Sequence, residues 1–358
     1  MIRECVVGLL LAAAPLVGAA AQSSPKEFAG QTLRVAIFGG TWQQWQQKTI
    51  EPLFTKATGA KVEYTPGAPA QFLAAMVAAK GRNVPFDLAP LGDDLLLEAS
   101  RQGLLLNDYS KALMPNVDKL FDEIKPNQVH GPSDFVSLNG VLYDEEKFRS
   151  NGLPPPTNWE VLNNPKLAGH IAIPDITFVY RIIYANINYW KTGDRYNLDG
   201  TLEWLKNIKN PIVYNDFPTL QTRFNSGEIW AVLGSAGYIL RFRKQGREMK
   251  FVIPQSRDEK GGVTFSSLNI IKGTTKARLA QIWINLAISD EVQTSMVKEI
   301  GFGASNRVVS DKLRNDPALK DLLIDNEEQL KIAAKTDWGK MTAVLPQWID
   351  KWDRAVRR

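Results

Sequence analysis

Two histidines, one cysteine and one serine set among glycines are the residues with which this 358-residue chain could do covalent, metal or acid–base chemistry. His130 and His170 each stand alone beside a glycine, with no carboxylate or cysteine at metal-ligand spacing. Neither supplies a usual zinc site, and both read as surface or structural residues. Gly234-Ser235-Ala236-Gly237 resembles a nucleophile elbow only in outline. In G-x-S-x-G the glycine stands two places before the serine, whereas here it precedes it directly, which fits a close backbone turn. No H-E-x-x-H, Walker A or G-x-G-x-x-G sequence is present. Cys5 lies in the first apolar stretch. No catalytic residue, cofactor or metal is therefore expected, and what is left for the chain to do is binding.

The elements that would hold a binding site are legible from periodicity. Leu33 to Phe38 reads as a strand ended by Gly39-Gly40. A helix then runs from Thr41 through Trp42, Trp45, Ile50 and Phe54 to Gly59, and Lys61 to Tyr64 alternates as a second strand. The rhythm repeats with a helix carrying Phe72, Met76 and Ala79, a strand over Phe86–Leu91, and a helix capped by Gly92-Asp93-Asp94 and closed at Gly103. Such alternation predicts a mainly parallel α/β sheet. Later, Lys276–Ser289 places Leu279, Ile282, Trp283 and Leu286 on one helical face, and Leu345, Trp348, Ile349 and Trp352 form another apolar stripe that predicts core packing.

The N-terminus predicts export. Arg3, an apolar run from Val6 to Ala14 and the small residues Ala19-Ala20-Ala21 follow the order of a secretory signal peptide, which assigns residues 1–21 to a removed leader. Cys5 falls inside it, so the mature chain has no thiol and relies on its core alone, with length enough for two domains. The 43 basic and 38 acidic residues are spread without a basic, aromatic-rich run, which argues against nucleic-acid binding. A monomer in the periplasm is expected.

At this point the chain resembles the periplasmic solute-binding proteins of ABC importers, in the group that takes polyamines, thiamine, ferric iron and aminophosphonates. The resemblance rests on an ordered set of motifs: Phe38-Gly39-Gly40-Thr41-Trp42; Asn158-Trp159-Glu160-Val161-Leu162 followed by Pro165-Lys166-Leu167-Ala168-Gly169; Asn225-Ser226-Gly227-Glu228-Ile229; and Ser289-Asp290-Glu291-Val292-Gln293 leading to Gly301-Phe302-Gly303-Ala304-Ser305-Asn306. It implies a type II fold of two α/β lobes around a ligand cleft, closing by hinge bending, and a permease as partner. Residues 22–136 with 268–308 would form one lobe and 137–267 with 309–358 the other, with crossings near Phe135–Leu142 and Val263–Leu268.

Cleft positions in this fold follow the C-terminal ends of strands. They nominate Thr41, Trp42 and Asp93 from the first lobe, with Thr41 and Asp93 equally eligible as helix caps. The second lobe offers Asp175, Tyr180, Arg181, Ser235 and Tyr238; the second crossing offers Thr264, Phe265 and Ser266; and Phe302 occupies the aromatic place in Gly-aromatic-x-x-x-Asn. Ser266-Ser267 stands where polyamine binders show an acidic residue, and Arg181 would repel a polycation. Gly237-Tyr238-Ile239 lacks the tyrosine pair of ferric binders. If Arg181 faces the cleft, its planar fork suits a carboxylate or phosphonate. Polyamine or thiamine and an oxyanion therefore stay open as ligand classes. The alternatives in other classes are an exported enzyme or sensor module on the same fold, and a scaffold that has lost its ligand.

Overall fold

A computed structural model describes residues 27–178, 180–247, 249–324, 327–334 and 336–356; the side chains of Asp93, Asp94, Phe217, Ala333 and Ala334 are outside the description. The leader assigned to residues 1–21 also lies outside the described residues.

Nine strands form one sheet: β1 (Thr32–Ile37), β2 (Lys61–Pro66), β3 (Leu88–Gly92), β4 (Ser133–Asp144), β5 (Ile171–Pro174), β6 (Ile212–Tyr214), β7 (Ala231–Ser235), β8 (Met249–Val252) and β9 (Val263–Ile270). The order is β2-β1-β3-β9-β4-β7-β5-β6, with β8 paired to β4. Parallel pairing of β1 with β2 and β3, and of β5 with β6 and β7, requires crossovers, and helices supply them. The two helical stretches Thr41–Thr49 and Glu51–Thr58 fall between β1 and β2. The single helix predicted there divides at Ile50 because Pro52 has no N–H to donate to the preceding turn. Gly59, at φ 72°, ends it where the sequence places the stop.

β4 joins the two halves of the sheet. All twelve of its residues are buried. Its first half pairs antiparallel with β9 through Leu138, and from Asn139 onward it pairs with β7 on one edge and β8 on the other. β9 runs back beside it and continues into β3. The tryptophan stripe near the C-terminus packs as predicted: in the helix Trp338–Val356, Trp352 lies against Tyr184 and the Trp348 indole donates to the Tyr196 carbonyl at 3.0 Å. The same helix packs on Asp93–Arg101, so it touches both halves. In the helix Ala277–Ala287 the buried face is set by Leu279, Ala280, Trp283, Ile284 and Ala287, while Ile282 and Leu286, placed on that face from the sequence, lie at its margin.

Where the chain enters β9, Gly262 holds φ 106° and its N–H neighbour strand passes so close that a Cβ would stand 2.2 Å from the Asn139 carbonyl oxygen. No L-residue fits that conformation or that gap. Gly262→Ala should cost about 2–4 kcal/mol of unfolding free energy in urea titration; a cost under about 0.5 kcal/mol would show that the crossing is not held this tightly.

Candidate functional site

The site is built on the face that β4 and β9 share. Antiparallel partners point to one side, so Phe135, Ser137 and Asn139 of β4 lie beside Thr264 and Ser266 of β9. Ser137 Oγ and Ser235 Oγ are 3.0 Å apart, linking β4 to the end of β7. The Asn139 amide donates to Gly262 O at 2.8 Å and to Thr264 Oγ1 at 3.0 Å. Ser235 caps the 3-10 turn Ala236–Tyr238 by accepting from the Gly237 N–H. The result is a floor of neutral hydroxyl and amide groups contributed by three strands.

Aromatic rings close one side of this floor. Phe135 packs on Phe302 with centroids 4.4 Å apart and on Trp42 at 5.2 Å, and Trp42 meets Phe302 at 5.7 Å. Phe38 and Trp45 extend the cluster. Trp42 and Phe135 are each 8 % exposed, which leaves ring edges at the surface of the cluster. Across from it, Gly301, at φ 92°, brings its backbone against Gly237; a Cβ on either would lie 3.0–3.1 Å from the other's carbonyl oxygen. The Gln293 side chain fastens this loop, donating to the Asp134 carbonyl at 2.7 Å and accepting from the Ser305 N–H at 2.9 Å.

The residues nominated from sequence separate into groups. Trp42, Ser235, Thr264, Ser266 and Phe302 come together on the shared face. Tyr180 and Tyr238 form a second aromatic group with Phe178 and Tyr214, and burial pushes the Tyr180 phenol up to about 12 although the Tyr238 hydroxyl bonds to it. Phe265 points the other way, against His130 at 5.4 Å, because neighbouring residues of a strand face opposite sides. Thr41 is exposed and sits one residue past the cap, which is Gly40 at φ 66°. The capping role considered for it is not met, since that backbone conformation suits glycine rather than threonine. At the helix Asp93–Arg101 the cap is Gly92, without a side-chain bond, and the Asp93 side chain lies outside the description. Asp175 Oδ1 accepts from the Thr177 N–H at 3.0 Å and hydroxyl at 2.7 Å, holding its own loop. Arg181 begins the helix Arg181–Thr192, partly buried, and is not a free cation.

Both histidines are structural. His130 is buried rather than on the surface, and burial lowers its pKa; Nδ1 lies 2.7 Å from Gly131 O and Nε2 accepts from the Asn127 amide at 2.9 Å. His170 stacks on Trp230 at 3.9 Å and bonds to Glu228 O.

Ser137, Asn139, Gln293 and Asp134 were not nominated. For Ser137, Asn139 and Asp134 the signal is polar residues in a largely apolar strand, but polar positions in a strand usually mark its wet side, and only the pairing shows that β4 has none; Gln293 lies in the helix Asp290–Glu299. Asp134 is the most unusual of them. Its side chain retains 5 % exposure, and burial pushes its pKa up to about 7 against the pull of Ser266 and of the N–H groups of Asp134 and Phe135.

A family profile described as bacterial extracellular solute-binding protein matches residues 53–321. The chain belongs to that family. Among solved structures it is similar to an ABC transporter protein from Clostridium perfringens, at 25 % identity and TM-score 0.70, covering 90 % of this chain and 99 % of that one. The spermidine/putrescine substrate-binding protein PotD from Streptococcus pneumoniae matches at 16 % identity and TM-score 0.69, over 89 % of this chain and 98 % of that one. AfuA from Actinobacillus pleuropneumoniae, solved with fructose-6-phosphate, matches at 20 % and 0.64, over 92 % and 99 %. No curated protein matches significantly. The family and the periplasmic-binding-protein fold expected from the motifs are thus the ones found, and the solute-binding proteins that share this fold take chemically different ligands.

Asp134 gives the site a pH signature. A carboxyl whose pKa is raised on folding contributes stability that is full below about pH 4 and lost as pH rises through 7. Asp134→Asn removes that dependence, so the variant should gain on the wild type by a few kcal/mol, at most about 4, between pH 4 and pH 8 in parallel urea titrations. Parallel stability curves for the two proteins would count against burial as the dominant influence on this carboxyl.

Proposed function

We propose that the chain captures a small polar solute between two lobes and presents the closed form to the permease of an ABC-type importer. The observation that carries this reading is the hydroxyl–amide floor of Ser137, Asn139, Ser235 and Thr264 at the place where β4 changes partners, roofed by Trp42, Phe135 and Phe302. The change of partners at Leu138 and Asn139 supports the lobe boundary at residues 136–137, with β9 as the return crossing near Val263–Leu268. Few convergent polar groups beside aromatic walls suit a small ligand. The Gly237–Gly301 approach supports a closure in which two backbones meet without side chains between them. Family membership supports export, and with it the leader assigned to residues 1–21.

An enzyme reading finds little support, since the polar groups of this floor pair with one another and no general base stands beside Ser235.

Binding should raise stability and compact the protein together. A thermal-shift screen of the mature chain against amines, amino acids, carboxylates, phosphonates and sugar phosphates, followed by small-angle scattering with the best hit, tests this. A saturable shift with a smaller radius of gyration is expected, and Trp42→Ala should weaken the hit at least about tenfold through loss of ring contact. Turnover of the hit in the absence of any membrane component would overturn the transport reading.

A further inference from the structure

The helix Trp338–Val356 has two contact faces. Met341, Trp348 and Trp352 are buried and, at spacings of seven and four, share one side of it. That side packs into the apolar cluster around Trp159, Tyr184 and Trp204, every member of which comes from residues 141–356. Polar bonds fix the helix to the same half: the Asp337 N–H donates to the Tyr196 hydroxyl at 2.8 Å, the Trp348 indole to the Tyr196 carbonyl at 3.0 Å, and Lys351 pairs with Asp199 at 2.6 Å. Gly339 comes two residues before Met341, about 160° around the helix, and so faces away from that core.

What Gly339 faces belongs to the other half. A Cβ there would stand 2.8 Å from Arg101 Nη2 and 3.6 Å from Leu97 Cδ2, both on the helix Asp93–Arg101. Leu97 and Arg101, four residues apart, line one side of that helix, while Leu96 and Ala99 turn into a separate apolar cluster with Phe72, Phe86 and Leu91. Among the described residues the two clusters share no member. The helices therefore touch without merging their cores, and unlike the β4–β9 ladder this contact can part without opening either core. The helix Asp93–Arg101 also starts directly after Gly92, which pairs with Ser266 in the floor of the site, so a shift of this helix against its neighbour moves one wall of the floor.

We propose that the first turn of the helix Trp338–Val356 is a latch across the lobes: Gly339 seats on Leu97 and Arg101 when the lobes come together and leaves them when they part. The proposal goes beyond the capture reading and rests on it for its two states. The seated latch is found together with the Gly237–Gly301 backbone approach, so it accompanies the closed arrangement. A contact made in only one of two states shifts their ratio by what it contributes, with or without solute. The latch thus sets how much of the unliganded chain is already closed, and a solute that needs the closed form binds less tightly in proportion to the closed fraction lost. Glycine suits the seat because any side chain at 339 would meet the Arg101 guanidinium before the helices reach this separation.

Spin labels at Lys56→Cys and Lys206→Cys, exposed positions on the two lobes, report the open–closed ratio of the mature chain through their separation. The measurement is made without solute and then with putrescine, 4-aminobutyrate, succinate and fructose-6-phosphate. Without solute, Gly339→Leu and Leu97→Ala are each expected to lower the closed-to-open ratio at least about threefold, and a probe that closes the wild type should at saturation restore the wild-type separation in both. A urea titration checks that each variant unfolds cooperatively; Leu97→Ala, which only trims a partly buried side chain, carries the test if Gly339→Leu does not. An unchanged ratio in the variants, or a shift toward the closed separation, overturns the latch. If the variants lower the ratio while no probe closes the wild type, the latch stands and capture of these probes fails. If a probe closes the wild type while neither variant moves the ratio, capture stands and the latch fails.

Discussion

The antiparallel pairing of β4 with β9 is the constraint on which the rest depends. Each strand leaves one half of the sheet and enters the other, so the backbone hydrogen bonds that stabilise the core also fix how the halves meet. Every residue of β4 is buried, and its polar side chains must find partners inside the protein. Ser137, Asn139, Ser235 and Thr264 do so with one another and with the Gly262 carbonyl. A site assembled this way is preorganised by the fold itself, since moving any one of these groups breaks a strand ladder as well as a side-chain bond.

Close backbone approach is the second requirement. Gly262 lets β9 begin within contact of Asn139, and Gly301 lets the loop carrying Phe302 meet Gly237. Both hold positive φ, so both positions exclude other residues for reasons of conformation as well as space. Phe302 reaches Phe135 and Trp42 from a loop fastened to β4 by the reciprocal backbone bonds of Val136 and Gly303 and by the Gln293 side chain. The aromatic wall therefore depends on backbone pairing as well as on a glutamine.

Much of this was legible in the residues. Alternating strands and helices gave the α/β class, and the motif order from Phe38 to Asn306 pointed to the family. Trp42, Ser235, Thr264, Ser266 and Phe302, expected from the residues to line a ligand cleft, lie on or beside the face that β4 and β9 share. The errors have physical causes. Phe265 was grouped with Thr264 and Ser266 although strand geometry turns it to the other face. Pro52 divides a strong helical pattern, and Gly40, not Thr41, holds the first cap. Asp134 was invisible because a β-bulge, which depends on the partner strand, decides where its side chain goes.

That bulge also places a carboxyl in the core, where burial works against its charge. Asp87 shows how this protein treats a buried carboxylate it needs for its core: an arginine and a threonine surround it. Asp134 is held by neutral groups instead, Ser266 and the N–H groups of Asp134 and Phe135, and burial pushes its pKa up to about 7. At neutral pH the core thus carries part of the cost of a charge without a countercharge. The crossing keeps that cost because the strand that carries Asp134 also carries Ser137 and Asn139, whose bonds to β7 and β9 fix the register of the whole pairing.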